Sequence, residues 1–239
     1  MGTATIAPSQ SGRYQRVAAP LHTVFVVAAA GAWAFRGVMQ AEQMRAMVNP
    51  NRIGMYGRTM LFEWLLFGFV ILGVKVNGTP LLAVLGERWN SVRQVLRESG
   101  IAIVFLVVSI FMTSLLGGRL HGGGPDPAVQ FLLPHGRAEI AVWMALSLTA
   151  GICEETLFRG YLQRQFVALT KNVPLGILLS AAMFGAAHGY QGFAKAVSIG
   201  ALGAMYGTLA HWRRSVRSGM IAHTLQDVLG GLFAGSMHH

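Results

Sequence analysis

Hydrophobic positions along this chain fall in long blocks, and the polar residues gather in the joints between them. Residues 1–16 are polar, carry Arg13 and Arg16, and predict a disordered N-terminal tail. Val17–Phe35 is the first apolar block, interrupted by Pro20 and His22. Small residues at Ala28–Ala30 would suit a cleaved leader, but the polar lead is long for one, so an anchor helix is expected. A polar joint over Gly37–Arg58 precedes a second span, Met60–Val76, which carries Glu63 near its start and stops at Asn77-Gly78-Thr79-Pro80. Leu81–Glu98 sets Leu81, Leu85, Trp89, Val92 and Leu96 against Arg88, Arg93 and Arg97. That pattern predicts an amphipathic helix in the membrane interface near 81–98. A third span follows over Gly100–Leu116. Gly117–Arg137 predicts a loop, with Gly122-Gly123-Gly124-Pro125-Asp126-Pro127 unable to hold a helix and His121 and His135 solvated. Four more apolar helices are expected at Ala138–Leu169, Val173–Tyr190, Phe193–Trp212 and Gly219–Phe233.

The fold class is thus an all-α polytopic membrane bundle of seven or eight transmembrane helices. Its expected organisation is the tail, N-terminal membrane helices over 17–137, and a C-terminal membrane core over 138–239. Composition agrees: 53% of the 239 residues are hydrophobic and 12% charged, against roughly 25% charged in soluble domains. The net charge of +10 lies mostly in the joints, a pattern of positive-inside topology and contact with anionic lipid, not of nucleic-acid binding. It favours an intracellular N-terminus. The lone Cys153 excludes an internal disulfide and, in an apolar run, is read as a small filler. GxxxG pairs at Gly185/Gly189 and Gly203/Gly207 predict close helix packing. His211, beside Trp212, is read as an interface anchor, Glu63 as interfacial or paired with an arginine, and His238 and His239 carry no assignment.

Charge inside the apolar blocks changes the picture. Gly151–Gly160 holds Glu154, Glu155 and Arg159, and ionised side chains at mid-membrane cost about 2.5–3.5 kcal/mol each on insertion scales. Glu155 and Arg159 are i,i+4 on a helix and can pair, whereas Glu154 is rotated about 100° away and is left available. Two further constellations follow on separate apolar helices: Phe184-x-x-x-His188 and His223-x-x-x-Asp227. Such a set suits hydrolysis, with a carboxylate as general base towards water and an imidazole sharing that water. Glu154, His188, His223 and Asp227 also match the ligand types of a catalytic zinc or other divalent-metal site. No HExxH and no Gly-x-Ser-x-Gly is present. Straight spanning helices would, however, leave Glu154 in mid-helix, His223 near an inner end and His188 near an outer end.

The ordered set Glu-Glu-x-x-x-Arg, Phe-x-x-x-His and His-x-x-x-Asp, spanning Glu154 to Asp227, resembles the CPBP family. That family comprises the CAAX-processing endopeptidases and the bacterial Abi proteins linked to bacteriocin processing and self-immunity. The resemblance implies an intramembrane endopeptidase of metalloprotease or glutamate type, acting near the inner membrane face. It casts Glu154 as the water-activating carboxylate with His188 as its partner. His223 and Asp227 become the oxyanion- or metal-side pair, and Glu155, Arg159 and Phe184 the supporting residues. Asp227 departs from the Asn expected of prenyl-protein enzymes, which favours a metal. Implied partners are membrane lipid and a peptide or membrane-protein substrate, in a bacterial inner membrane. An ion-coupled transporter is the rival from another class, though no internal repeat supports it. A non-catalytic immunity or adaptor protein is the other.

Overall fold

A computed structural model describes residues 15–47, 50–121 and 130–236. Most of the tail, the Gly122–Pro127 loop, and His238 and His239 lie outside the described residues. The chain forms helices α1 (Pro20–Arg45), α2 (Arg52–Val76), α3 (Leu81–Leu85), α4 (Val92–His121), α5 (Arg137–Thr170), α6 (Val173–Ala187), α7 (Phe193–Arg213) and α8 (Arg217–Ser236). A 3₁₀ turn, Gly189–Gln191, joins α6 to α7. Five of these helices, α1, α2, α4, α5 and α7, contain stretches long and apolar enough to cross a membrane, and α6 is a shorter apolar helix. Among the described residues there is no strand, as the all-α class predicts.

The polarity of the bundle is that of a protein in lipid. Leu61, Leu65, Val104, Val107 and Phe111 are exposed, while Glu155, Gln165 and Thr156 rank among the most completely buried side chains. Buried polar groups of this kind persist only when they are bonded to one another. Gln165 shows how: it accepts from Val17 N at 2.8 Å and donates to Ala18 O at 3.0 Å and to Thr23 Oγ1 at 2.6 Å. Tyr161 O–H donates to His22 Nδ1 at 2.7 Å, and His22 Nε2 donates to Phe69 O at 3.1 Å. This relay ties the start of α1 to α5 and α2. Pro20 and His22 therefore do not interrupt the first span. Pro20 is its first residue, where a missing N–H costs nothing, and His22 is a helix-to-helix bond.

Three expectations are corrected. The joint expected over Gly37–Arg58 is largely helical, because α1 runs to Arg45 and α2 begins at Arg52, capped by Asn51. No single amphipathic helix covers 81–98: Gly86 at φ +91 breaks it, and its backbone lies so close to Ser215 that a Cβ would meet Ser215 Cα at 2.8 Å. Val92 onward belongs to the third span, and Glu98 is not on a solvated face. It is buried and takes Arg213 Nη2 and Ser218 Oγ at about 2.5 Å, locking α4 to the α7–α8 turn. Finally, α4 continues helical through His121, inside the stretch expected to be loop.

The depth conflict disappears through one short helix. Lys171, in the left-handed region at φ 55, turns the chain, and the Asn172 side chain caps α6 by accepting from Leu175 N. Fifteen residues of α6 rise about 22 Å, short of the roughly 30 Å hydrocarbon core. Sixteen residues separate Glu154 from Thr170 on the antiparallel α5, so His188, just past the end of α6, returns to the level of Glu154. A spanning helix five would have carried it past. Gly185 meets Ala196 O and Gly200 across α6–α7, Gly203 meets Ala181 and Phe184, and Gly207 meets Gln163 on α5. Gly189 sits in the 3₁₀ turn, and its close neighbour is Val38 on α1, which a Cβ would meet at 3.3 Å.

α8 packs antiparallel on α5 through Gly151, where a Cβ would lie 2.2 Å from Thr224 Oγ1 and 2.8 Å from Met220 O. Gly151→Ala is expected to destabilise by about 1–3 kcal/mol, since backbone must yield. Thermal unfolding in detergent reads this, and an unchanged midpoint would mean that α8 is not seated on α5 as described.

Candidate active site

Along α5 the backbone changes from α-helical to π-helical over Glu155–Leu162. Insertions of this kind are rare and recur at functional sites. Here the π-helix begins one residue after Glu154 and carries Glu155 and Arg159, all eight of its residues being buried. Arg159 Nη1 lies 2.9 Å from Glu155 Oε1, with both side chains essentially inaccessible. Arg159 also donates from Nη2 to Gly203 O at 3.2 Å and lies 4.1 Å from the Phe184 ring centroid and 5.2 Å from that of Tyr206.

His223 on α8 is the hub. Its Nδ1 is 3.1 Å from Glu155 Oε1, an acceptor, so Nδ1 is the donor. Its Nε2 faces Glu154 Oε2 at 3.8 Å and Asp227 Oδ2 at 3.6 Å. His188, at the end of α6, places Nδ1 2.8 Å from Phe184 O, which can only accept, so Nδ1 again carries the hydrogen and Nε2 is free for other work. Phe184 is the partition between the imidazoles, its ring 4.8 Å from His188 and 6.0 Å from His223.

Glu154, His188, His223 and Asp227 all line one cavity of about 1080 Å³. The three motifs therefore converge, although they do so around His223, which contacts both glutamates and Asp227. Gly37, Gln40, Met55, Arg58 and Gln191, near the ends of α1 and α2 that flank their connection, also line the cavity. Arg88, Arg93, Lys171, Arg213 and Arg214 lie towards the opposite end of the bundle. Tyr206 and Gln226 escaped the sequence reading. Tyr206 stacks on His223 with ring centroids 5.4 Å apart and donates to Gln226 Oε1 at 3.2 Å. Gln226, a polar residue beside Asp227 in an apolar helix, was the available signal. Glu63 also belongs to the cavity rather than to the interface, and the structure gives it no arginine. Cys153 is buried and unpaired behind Glu154.

The donor set does not fit a metal ion as it stands. Among the described residues no group of three or more His, Cys, Asp or Glu side chains is placed to hold one. His223 Nδ1 and His188 Nδ1 are already engaged, and each imidazole has one nitrogen left.

The C-terminal segment resembles a known family. The family model described as "Type II CAAX prenyl endopeptidase Rce1-like" matches residues 136–229. That segment is similar to the Rce1-like family, and the similarity is consistent with the CPBP family. The match runs from the start of α5 to Leu229 in α8 and includes every motif residue from Glu154 to Asp227. At the family level it supports an intramembrane protease, a hydrolase acting on a peptide or protein. The apolar helices agree with an integral membrane protein. No curated protein and no solved structure matched in the corresponding comparisons.

Arg159→Met would leave Glu155 ionised and buried beside only His223. A loss of about 3–5 kcal/mol is expected, with much of it recovered in Glu155→Gln/Arg159→Met. Melting midpoints of the single and double variants in detergent check this, and a double variant no better than the single would refute the pairing.

Proposed function

We propose that the chain is an intramembrane endopeptidase in which Glu154 activates water, with His188 as its partner. The observation that carries this reading is a carboxylate oxygen, Glu154 Oε2, that is buried, has no hydrogen-bond partner and faces a cavity shared with both imidazoles. Water entering the cavity gives a proton to the Glu154 carboxylate as its oxygen attacks the peptide carbonyl carbon. His188 Nε2, left available by the Phe184 carbonyl, holds that water in line. The carbonyl π bond opens to an oxyanion. His223, held by Glu155 through Nδ1, can donate to this oxyanion from Nε2 when that nitrogen carries a proton. Collapse of the tetrahedral species breaks the C–N bond, and the Glu154 carboxylic acid returns its proton to the leaving amine. Asp227 sits 3.6 Å from His223 Nε2 and orients the ring rather than meeting the oxyanion, which its charge would repel.

Glu155 and Arg159 take no part in proton transfer in this scheme. They cancel each other's charge and fix His223. The membrane is a bacterial inner membrane in this reading. With the Arg213 end at the cytoplasm, as the basic bias favours, the cavity lies on the other side of the bilayer midplane rather than near the inner face expected from sequence.

Glu154→Gln is expected to insert and melt like the wild type while peptide cleavage falls by about 10²–10⁴-fold. His188→Ala should lose activity in the same assay, and turnover retained in both variants would remove the proposal. Orientation has its own test, in Cys153→Ala carrying Gln191→Cys: an impermeant thiol reagent added outside spheroplasts should label it, and labelling only after lysis would place this end of the cavity at the cytoplasm.

A further inference from the structure

Glu63 lies on α2, outside the segment that matches the family. Its Oε2 is sealed from solvent and has no hydrogen-bond partner. Among the described residues no Lys, Arg or His lies within ion-pairing distance of it. Glu154 Oε2 likewise lacks a hydrogen-bond partner, although His223 Nε2 lies 3.8 Å away, and Asp227 shares the cavity. Three carboxylates thus face two imidazoles, one of which already serves Glu155. The other cations on the cavity wall do not redress this. Arg36 is exposed and rests on Trp33, Arg58 is exposed, and Lys195 is half-buried with no carboxylate partner. Arg159 is committed to Glu155.

A buried carboxylate without a partner is unfavourable in the empty protein, and it is relieved when a cation arrives. Among the described residues no three donors are placed to hold an inorganic ion. The cavity, at about 1080 Å³, has room for a side chain, and Phe62, Leu66 and Leu157 line it with apolar surface suited to a methylene stem. We propose that Glu63 receives the charged side chain of a Lys or Arg in the bound peptide. The inference deepens the endopeptidase reading by naming a substrate feature, and it rests on that reading for the word substrate. Charge-assisted hydrogen bonds to a desolvated carboxylate give such a site its selectivity.

The test uses the full chain in detergent and two pooled peptide libraries that differ only in a central Lys or norleucine. Trp33 and Trp143 line the cavity and report binding by fluorescence. The lysine library should bind about tenfold more tightly to the wild type, a difference of about 1.4 kcal/mol. In Glu63→Gln the ratio should fall towards one, while Glu63→Asp, which keeps the charge, should retain a clear preference. Equal binding of both libraries by the wild type, or a lysine preference that survives in Glu63→Gln, overturns the proposal. Cleavage of the same libraries is followed in parallel. Lysine-selective binding without any cleavage would overturn the peptidase reading and leave the cation site standing.

Discussion

The buried ion pair between Glu155 and Arg159 is the constraint on which the rest of this structure depends. An arginine in the middle of an apolar bundle is tolerable only where its charge is cancelled and its donors are filled. Glu155 cancels the charge, the Gly203 carbonyl takes one donor, and the faces of Phe184 and Tyr206 cover the guanidinium. Those contacts draw α6 and α7 onto α5. The second lone-pair direction of Glu155 then reaches His223 and draws in α8. The pair thus determines where four helices meet, and it leaves the neighbouring Glu154 facing the cavity. A residue whose role is packing in this sense specifies the site more tightly than any apolar contact does.

The site is not the property of the matched segment alone. α5 to α8 supply Glu154, His188, His223 and Asp227, yet α1 and α2 close the cavity with Trp33, Phe62 and Glu63. α1 is itself held at its far end by the Gln165–Thr23 and Tyr161–His22 bonds, and His22 ties it on to Phe69 O of α2. The matched segment therefore shares its cavity with walls that lie outside the match.

Much of this was legible in the chain. The helix spans Arg137–Thr170, Phe193–Arg213 and Arg217–Ser236 follow from unbroken apolar blocks with basic ends, and the i,i+4 spacing of Glu155 and Arg159 already placed one above the other. Glu63 was misread because a carboxylate near the end of an apolar run has the same local pattern whether it faces water, a headgroup or another helix. Glu98 shows what settles such a case, since its partner Arg213 is far away in sequence, and among the described residues Glu63 has no such partner.

What the sequence by itself determined is what short-range chemistry can encode: which segments are helical and apolar, which polar residues they cannot bury alone, and the ordered motifs that resemble those of the CPBP family. The tertiary structure decided what depends on depth and direction. A helix of fifteen residues brings His188 to the height of Glu154, and the π-helix after Glu154 buries Glu155 and Arg159 against the helices that bear His223. Neither could be read from spacing, because helical periodicity gives the angle at which a side chain leaves its own axis. It does not give the height at which a neighbouring axis passes by.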